Sequence, residues 1–199
     1  FIIGSAILAP YMIINKTAFH VPQRLIRSLL LTGIAALCML AATYHAVEFI
    51  DIGFVLLILY TFPFGVALLA RIKRGELLSI PRWICMATVL GGLGIMIYDG
   101  QAHINLYGVL ISIIGLISFI FFIETSSNLV VTIGGAALNL YISLIGLVLM
   151  LIIFPFGFTM STPVTNAGVV AIGANGLFFV LSWVLFFEGS RLIGITRAS

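Results

Sequence analysis

The sequence predicts an all-α, polytopic transmembrane helix bundle, and three features support that fold class. Of its 199 residues, 62% are hydrophobic and 8% are charged, so the chain lacks the polar residues that cover a water-soluble domain. Apolar runs recur along it, close to the length of about 20 residues at which a helix crosses the hydrocarbon core. Basic residues alternate between the short connections. We therefore expect an integral multi-pass membrane protein whose main partner is the lipid bilayer.

The apolar runs predict six complete spans and two partial ones. Residues 1–14 end one span, and Leu192 begins another that the chain does not complete. The complete runs are 28–47, 52–70, 83–98, 104–123, 136–155 and 167–187. Because the first run is short and lacks the basic start and small-residue cleavage site of a signal peptide, we do not interpret it as one. We expect the chain to be an excerpt of a longer protein.

The basic residues predict the orientation. If each run crosses the bilayer once, the first, third and seventh connections share one face, and they hold all nine Lys and Arg residues. The intervening connections hold Glu48, Asp51 and Asp99 with no Lys or Arg. Connections rich in Lys and Arg stay on the cytoplasmic side. This segregation supports the count of spans and predicts the bacterial inner (plasma) membrane as the location.

An internal repeat is the main functional indication. When the chain is shifted by 141 residues, Pro22 falls on Pro163 and the run 28–47 superposes on 169–188. The copies are five spans apart, so equivalent helices cross in opposite directions, and the charges of equivalent turns agree with that reversal. We therefore predict two inverted five-helix repeats, residues 1–98 and 99–199, both truncated, within a ten-helix parent. Such repeats are typical of secondary transporters.

Three stretches resemble the EamA-type branch of the drug/metabolite transporter superfamily. Residues 27–48 are similar to the family's third helix and its exit, and Tyr60-Thr-Phe-Pro63 with Gly75-Glu-Leu-Leu-Ser79 resembles its fourth helix and following turn. The third stretch, 187–199, resembles the equivalent exit in the second unit, whereas Leu77 stands where the family commonly has Arg. The resemblance implies a carrier built from two inverted units, and it identifies no substrate.

Tyr60, Thr61 and Pro63 form the first group of substrate-pathway candidates. Proline has no N–H and clashes with the preceding turn, so Pro63 is expected to kink its span near Leu59, close to the middle of the membrane. Irregular backbone at that depth can line a cavity for a solute. The alternative is that Pro63 only bends the helix.

Five further candidates lie elsewhere in the predicted spans. Asn139 and Asn175 are expected to turn inward, either to bond neighbouring helices or to contact a solute. Tyr44 belongs to an interfacial belt or to the wall of the pathway, and Trp183 lies deeper and is the better wall candidate. His45 could titrate during transport, although a histidine near a helix end is more often an interfacial, hydrogen-bonded group.

Composition and motifs also exclude several classes of function. The basic residues are too sparse for a nucleic-acid surface, so no nucleic-acid partner is expected. Cys38 and Cys85 lie inside apolar runs, which indicates neither a disulfide nor a metal pair. No metal-binding, nucleophile or phosphate-binding motif occurs, so we expect no enzyme activity, metal or cofactor. All six carboxylates fall at predicted span ends or loops, so no acid is expected within the membrane.

Together these features predict a transporter that moves a small organic solute, such as a metabolite, an amino acid or a drug-like compound, by alternating access. The alternative is a membrane scaffold or assembly subunit without a transport cycle. An intramembrane enzyme is the least favoured class because clustered catalytic groups are missing. Assembly into a homo-oligomer is left open.

Overall fold

The computed structural model describes residues 1–14, 21–75, 80–98, 105–153 and 165–193, and these residues form helices without strands. The helices are α1 (Ile2–Ile14), α2 (Gln23–Ala46), α3 (Ile52–Leu59), α4 (Phe62–Arg74), α5 (Ile80–Tyr98), α6 (Leu106–Ile133), α7 (Gly135–Ile153) and α8 (Asn166–Ile193). This confirms the all-α class for the described part of the chain.

Five helical segments are long and apolar enough to cross a membrane, by length and composition. They are Gln23–Ala46, Ile52–Lys73, Leu106–Ile133, Gly135–Ile153 and Asn166–Ser190. The chain is therefore described below as an integral membrane protein. The sixth predicted span, 83–98, lies within helix α5, and its crossing of the bilayer stays a prediction.

Helix α6 corrects one predicted boundary. We expected the span to end at Ile123 and a loop to follow, but α6 continues to Ile133 and only Gly134 separates it from α7. Gly134 has a φ of 80°, a left-handed conformation that favours glycine, and its N–H donates to the Val130 carbonyl at 2.9 Å. No glycine or proline occurs between residues 116 and 133, so nothing in the backbone stops the helix earlier.

The chain divides into two compact units, within Phe1–Ile34 and Thr125–Ala198 for the first unit and within Ala35–Glu124 for the second. The long helices α2 and α6 each contribute one part to each unit. This division is one of spatial compactness, whereas the predicted repeats 1–98 and 99–199 concern sequence equivalence and stay a prediction.

In the first unit, α1, α7 and α8 pack together at small residues. Gly4 of α1 lies against Ser143 of α7, and a Cβ on Gly4 would stand 2.8 Å from the Ser143 hydroxyl oxygen. Phe1 lies on Gly146, so α1 and α7 are antiparallel. Leu8, Met12, Ala137, Leu140 and Val180 form the buried apolar cluster of this unit. Small residues at such crossings let helix backbones approach closely in a membrane.

In the second unit, α6 packs on the end of α2 and on α4. A Cβ on Gly115 of α6 would lie 3.3 Å from the Cβ of Ala42 on α2, and Gly108 lies against Ile50 just after α2. These contacts make α2 and α6 antiparallel. The relative directions in both units agree with runs that cross once each in alternating sense.

Candidate functional site

The span Ile52–Lys73 is two helices joined by a break. Helix α3 ends at Leu59 and α4 begins at Phe62, with Tyr60 and Thr61 in the turn between them. The N–H of Thr61 donates to the Ile58 carbonyl at 3.1 Å, a tighter pairing than that of an α-helix. The break comes nine residues into a 22-residue span, so it lies near the middle of that span.

Pro63 explains the break. It has no N–H to donate to the Leu59 carbonyl, and it occupies the first turn of α4, where its fixed φ suits a helix start. The interruption that we expected near Leu59 is therefore present. A backbone carbonyl without its helical donor, in the middle of an apolar span, is a hydrogen-bond acceptor that another group must satisfy.

The side chains around the break are mixed in character. Tyr60 is 60% exposed, whereas Thr61 and Pro63 are half-buried. The Thr61 hydroxyl donates to the Ile58 carbonyl at 2.6 Å and keeps its lone pairs as acceptors. Phe62 packs on Phe119 of α6, with ring centroids 4.3 Å apart. The break therefore offers few polar groups beside aromatic surface, as small-molecule sites do.

Tyr44 and His45 lie at the end of α2, away from the break. His45 Nδ1 is 3.2 Å from Glu48 Oε2, and its ring makes edge contacts with Phe49 and Tyr107. Tyr107 precedes Phe119, the residue beside the break, by 12 positions on α6, which is about 18 Å along a helix axis. Tyr44 is 68% exposed. This cluster lies at the end of the spans, the position expected of interfacial aromatic residues.

Asn139, Asn175 and Trp183 belong to the first unit. Asn139 is buried, and its amide donates to the Val180 carbonyl of α8 at 3.2 Å, which is a bond between helices. Asn175 is exposed on α8, in contrast to the inward position that we expected. Trp183 is half-buried and contacts aromatic rings one turn away on its own helix, namely Phe179, Phe186 and Phe187.

Glu124 is a functional candidate that the sequence analysis missed. The expectation that all carboxylates lie at span ends or in loops is wrong for this residue. Glu124 lies inside α6, nine residues before its end, and is 5% exposed. Its Oε1 lies 3.7 Å from Nζ of Lys73, near the end of α4. The polar residues 125–128 favoured a loop, but the absence of a helix stop before Gly134 was the signal for a continuing helix.

Glu188 is a second carboxylate with a structural partner. The backbone N–H of Gly135, at the start of α7, donates to Glu188 Oε1 at 2.9 Å. A carboxylate is favourable at a helix N-terminus because the free N–H groups and the helix dipole are positive there. Glu188 thereby holds the beginning of α7 against α8.

Within the described ranges, no three His, Cys, Asp or Glu side chains are grouped closely enough to hold a metal ion. No protein-family model, curated protein or solved structure matches this chain. The resemblance to EamA-type carriers therefore stays a prediction from the residues quoted above.

Proposed function

We propose that this integral membrane protein is a carrier of small organic solutes that works by alternating access. The single observation that carries this proposal is the break at Tyr60–Thr61 inside an apolar span. Discontinuous helices are a recurring way for secondary transporters to present backbone groups to a solute near the membrane midplane. A scaffold needs no interrupted helix at that depth.

The break also indicates the class of solute. The Leu59 carbonyl and the Thr61 hydroxyl oxygen can accept hydrogen bonds, and the neighbouring Phe62 and Phe119 rings offer apolar contact. A solute that combines an N–H or O–H donor with an apolar portion suits these groups. Metabolites, amino acids and drug-like amines have this character, whereas a bare ion would leave the aromatic surface unused.

Packing in the first unit supports the inverted repeat on which alternating access would depend. A two-fold axis that relates residue i to residue i + 141 makes each residue face its own counterpart where the equivalent helices α1 and α7 cross. Position 3 and its counterpart 144 fall between the two observed contacts, Gly4 with Ser143 and Phe1 with Gly146. The offset found in the sequence therefore places the axis at the observed crossing.

A second pair of contacts supports the same symmetry. Ile3 of α1 packs on Gly176 of α8, and Ile145 of α7 packs on Gly33 of α2. The shift of 141 takes position 3 to 144, next to Ile145, and position 33 to 174, one turn or less from Gly176. Each of the two equivalent helices thus lays an isoleucine on a glycine of the helix that the repeat assigns to it.

The proposal is tested by solute uptake into proteoliposomes that contain the full-length protein. A screen of amino acids, amines and nucleosides first identifies compounds that raise its melting temperature, since ligands that bind the folded state stabilise it. The stabilising compound is then supplied in radiolabelled form. Uptake above that of empty vesicles is expected, and its absence for every stabilising compound would favour the scaffold alternative.

Thr61→Val tests the break as the site. Valine keeps the branched shape and removes the oxygen, so the loss of one hydrogen bond, about 1 kcal/mol, would lower uptake at limiting solute by about fivefold. Thr88→Val is the matched control, because the Thr88 hydroxyl makes a similar bond to the Ile84 carbonyl on the exposed face of α5. Equal uptake by both variants would place the solute elsewhere.

A further inference from the structure

We propose that Lys73 and Glu124 form a latch that holds the half-helix α4 against α6, and that α4 swings as a unit about the break when this pair separates. The inference rests on the proposed carrier function and deepens it, because it names the element that moves and the charged pair that restrains it.

Helix α4 is suited to move as one piece. It has 13 residues and is joined to α3 only through the turn at Tyr60 and Thr61, where Pro63 removes a helical hydrogen bond. At its other end, Gly75 terminates it with a φ of 67°, a left-handed cap. A rigid segment bounded by two backbone irregularities can rotate with changes at a few dihedral angles.

One face of α4 is covered by its neighbours, and Lys73 ends that face. Val66 and Ala70 are fully buried, and with Phe62 they recur every four residues, which places them on one stripe of the helix. Lys73 follows Ala70 by three residues, at the end of the stripe. Its aliphatic stem can lie along the covered face while the ammonium reaches toward the membrane surface.

The packing of α4 on α6 is close but apolar until Lys73 is reached. Gly65 faces the Ile120 side chain, and Phe62 faces Phe119, so both contacts come from the first turn of α4. Contacts of this kind are non-directional and give no single preferred rotation. The Lys73–Glu124 pair lies about 18 Å from the break along α4, where a single attraction has the greatest leverage on the angle of the helix.

The geometry of the pair is that of a restraint that can open. The distance of 3.7 Å is longer than the 2.7–2.9 Å of a tight charged hydrogen bond. The Glu124 side chain is nearly buried, whereas that of Lys73 is 55% exposed. Burying a carboxylate in a membrane helix is costly, and such residues commonly serve function. Lys73 can leave toward water, while Glu124 stays in place.

Cysteine accessibility tests the latch without any need for a substrate. Ala70→Cys is made in full-length protein in which Cys38 and Cys85 are replaced by alanine, and a membrane-impermeant maleimide is added to the predicted cytoplasmic face. With the pair intact, position 70 is covered and labels slowly. Lys73→Met and Glu124→Gln are each expected to raise the labelling rate about tenfold.

Matched variants keep this test sharp. Arg71→Gln removes a charge from the same turn of α4, is exposed, and is expected to leave the labelling rate unchanged. The exchanged pair Lys73→Glu with Glu124→Lys is expected to restore slow labelling. Lys73→Met covers the case in which Glu124→Gln fails to fold, because Lys73 is at the surface.

The outcomes separate the latch from the carrier function. An unchanged labelling rate in Lys73→Met would overturn the latch, even if the protein transports a solute. Faster labelling in a protein that moves no solute would leave the latch standing and remove the carrier function.

Discussion

Asn139 shows how a polar side chain can be structural within a membrane. Its amide donates to the Val180 carbonyl, and the residue is buried where α7 meets α8. A hydrogen bond between membrane helices contributes about 0.6 kcal/mol on average, because unfolded helices in lipid also find partners. The position therefore stabilises the first unit modestly, and a solute need not contact it.

Replacing Asn139 with leucine should lower the stability of the protein slightly. Leucine has a similar volume and cannot donate, so we expect a loss of about 0.6 kcal/mol, or roughly 2 °C in melting temperature. Thermal unfolding in detergent measures it. Asn175→Leu is the control, since Asn175 is exposed, and it should leave the melting temperature unchanged. A larger loss at Asn175 would show that this residue is covered in the assembled protein.

At the residue scale the sequence predicted the break at Pro63 but not the buried Glu124. A missing N–H is a property of one residue and acts wherever the proline is placed. The burial of Glu124 depends on α4 coming back to α6, which no local pattern records. The same limit applies to Asn139 and Asn175, which are equivalent as residue types in apolar runs but differ in burial.

Helix ends are the features of the elements that depend most on single residues. Gly134 is the one residue between α6 and α7, and its positive φ reverses the chain direction without a loop. Any side chain in that conformation places its Cβ close to the following carbonyl oxygen. The turn therefore requires glycine for its backbone and not for lack of space, because a Cβ there would meet no described atom within 4 Å.

Gly134→Ala should destabilise the protein by about 1 kcal/mol because the left-handed conformation is strained for alanine. Gly91→Ala is the control, since Gly91 lies inside helix α5, where a Cβ also has open space. Alanine is favoured over glycine in a helix interior, so this variant should be neutral or slightly more stable. Unfolding in detergent compares them, and a stable Gly134→Ala protein would contradict the role given to this turn.

The span boundaries illustrate what hydropathy can predict at the scale of elements. It located every described helix because an apolar run of membrane length has few alternatives in lipid. It misplaced the end of α6, since the run 124–128 is polar and yet helical, with Ser126 fully buried. Serine and threonine hydroxyls can bond to the carbonyl one turn earlier, as Ser112 does to Gly108, so polar residues need not end a membrane helix.

At the scale of the whole molecule, the repeat and the charge pattern make the same claim by different routes. The offset of 141 residues places an axis at the α1–α7 crossing, and the alternation of basic residues requires equivalent turns to lie on opposite faces. Hydropathy could predict the repeat because each copy must cross the same thickness of lipid. It could not predict the glycine contacts, which depend on how the helices rotate about their axes.

Two equivalent exposed positions test the inverted arrangement. Asp51, before α3, and Leu192, near the end of α8, are 141 residues apart, so the repeat makes them counterparts. Asp51→Cys should react with an impermeant maleimide added outside intact cells, because no basic residue holds its turn in the cytoplasm. Leu192→Cys, beside Arg191, should react only in inside-out vesicles. Both variants are made with Cys38 and Cys85 replaced by alanine, and labelling of both from the same side would contradict the inverted repeat and the alternating-access cycle proposed from it.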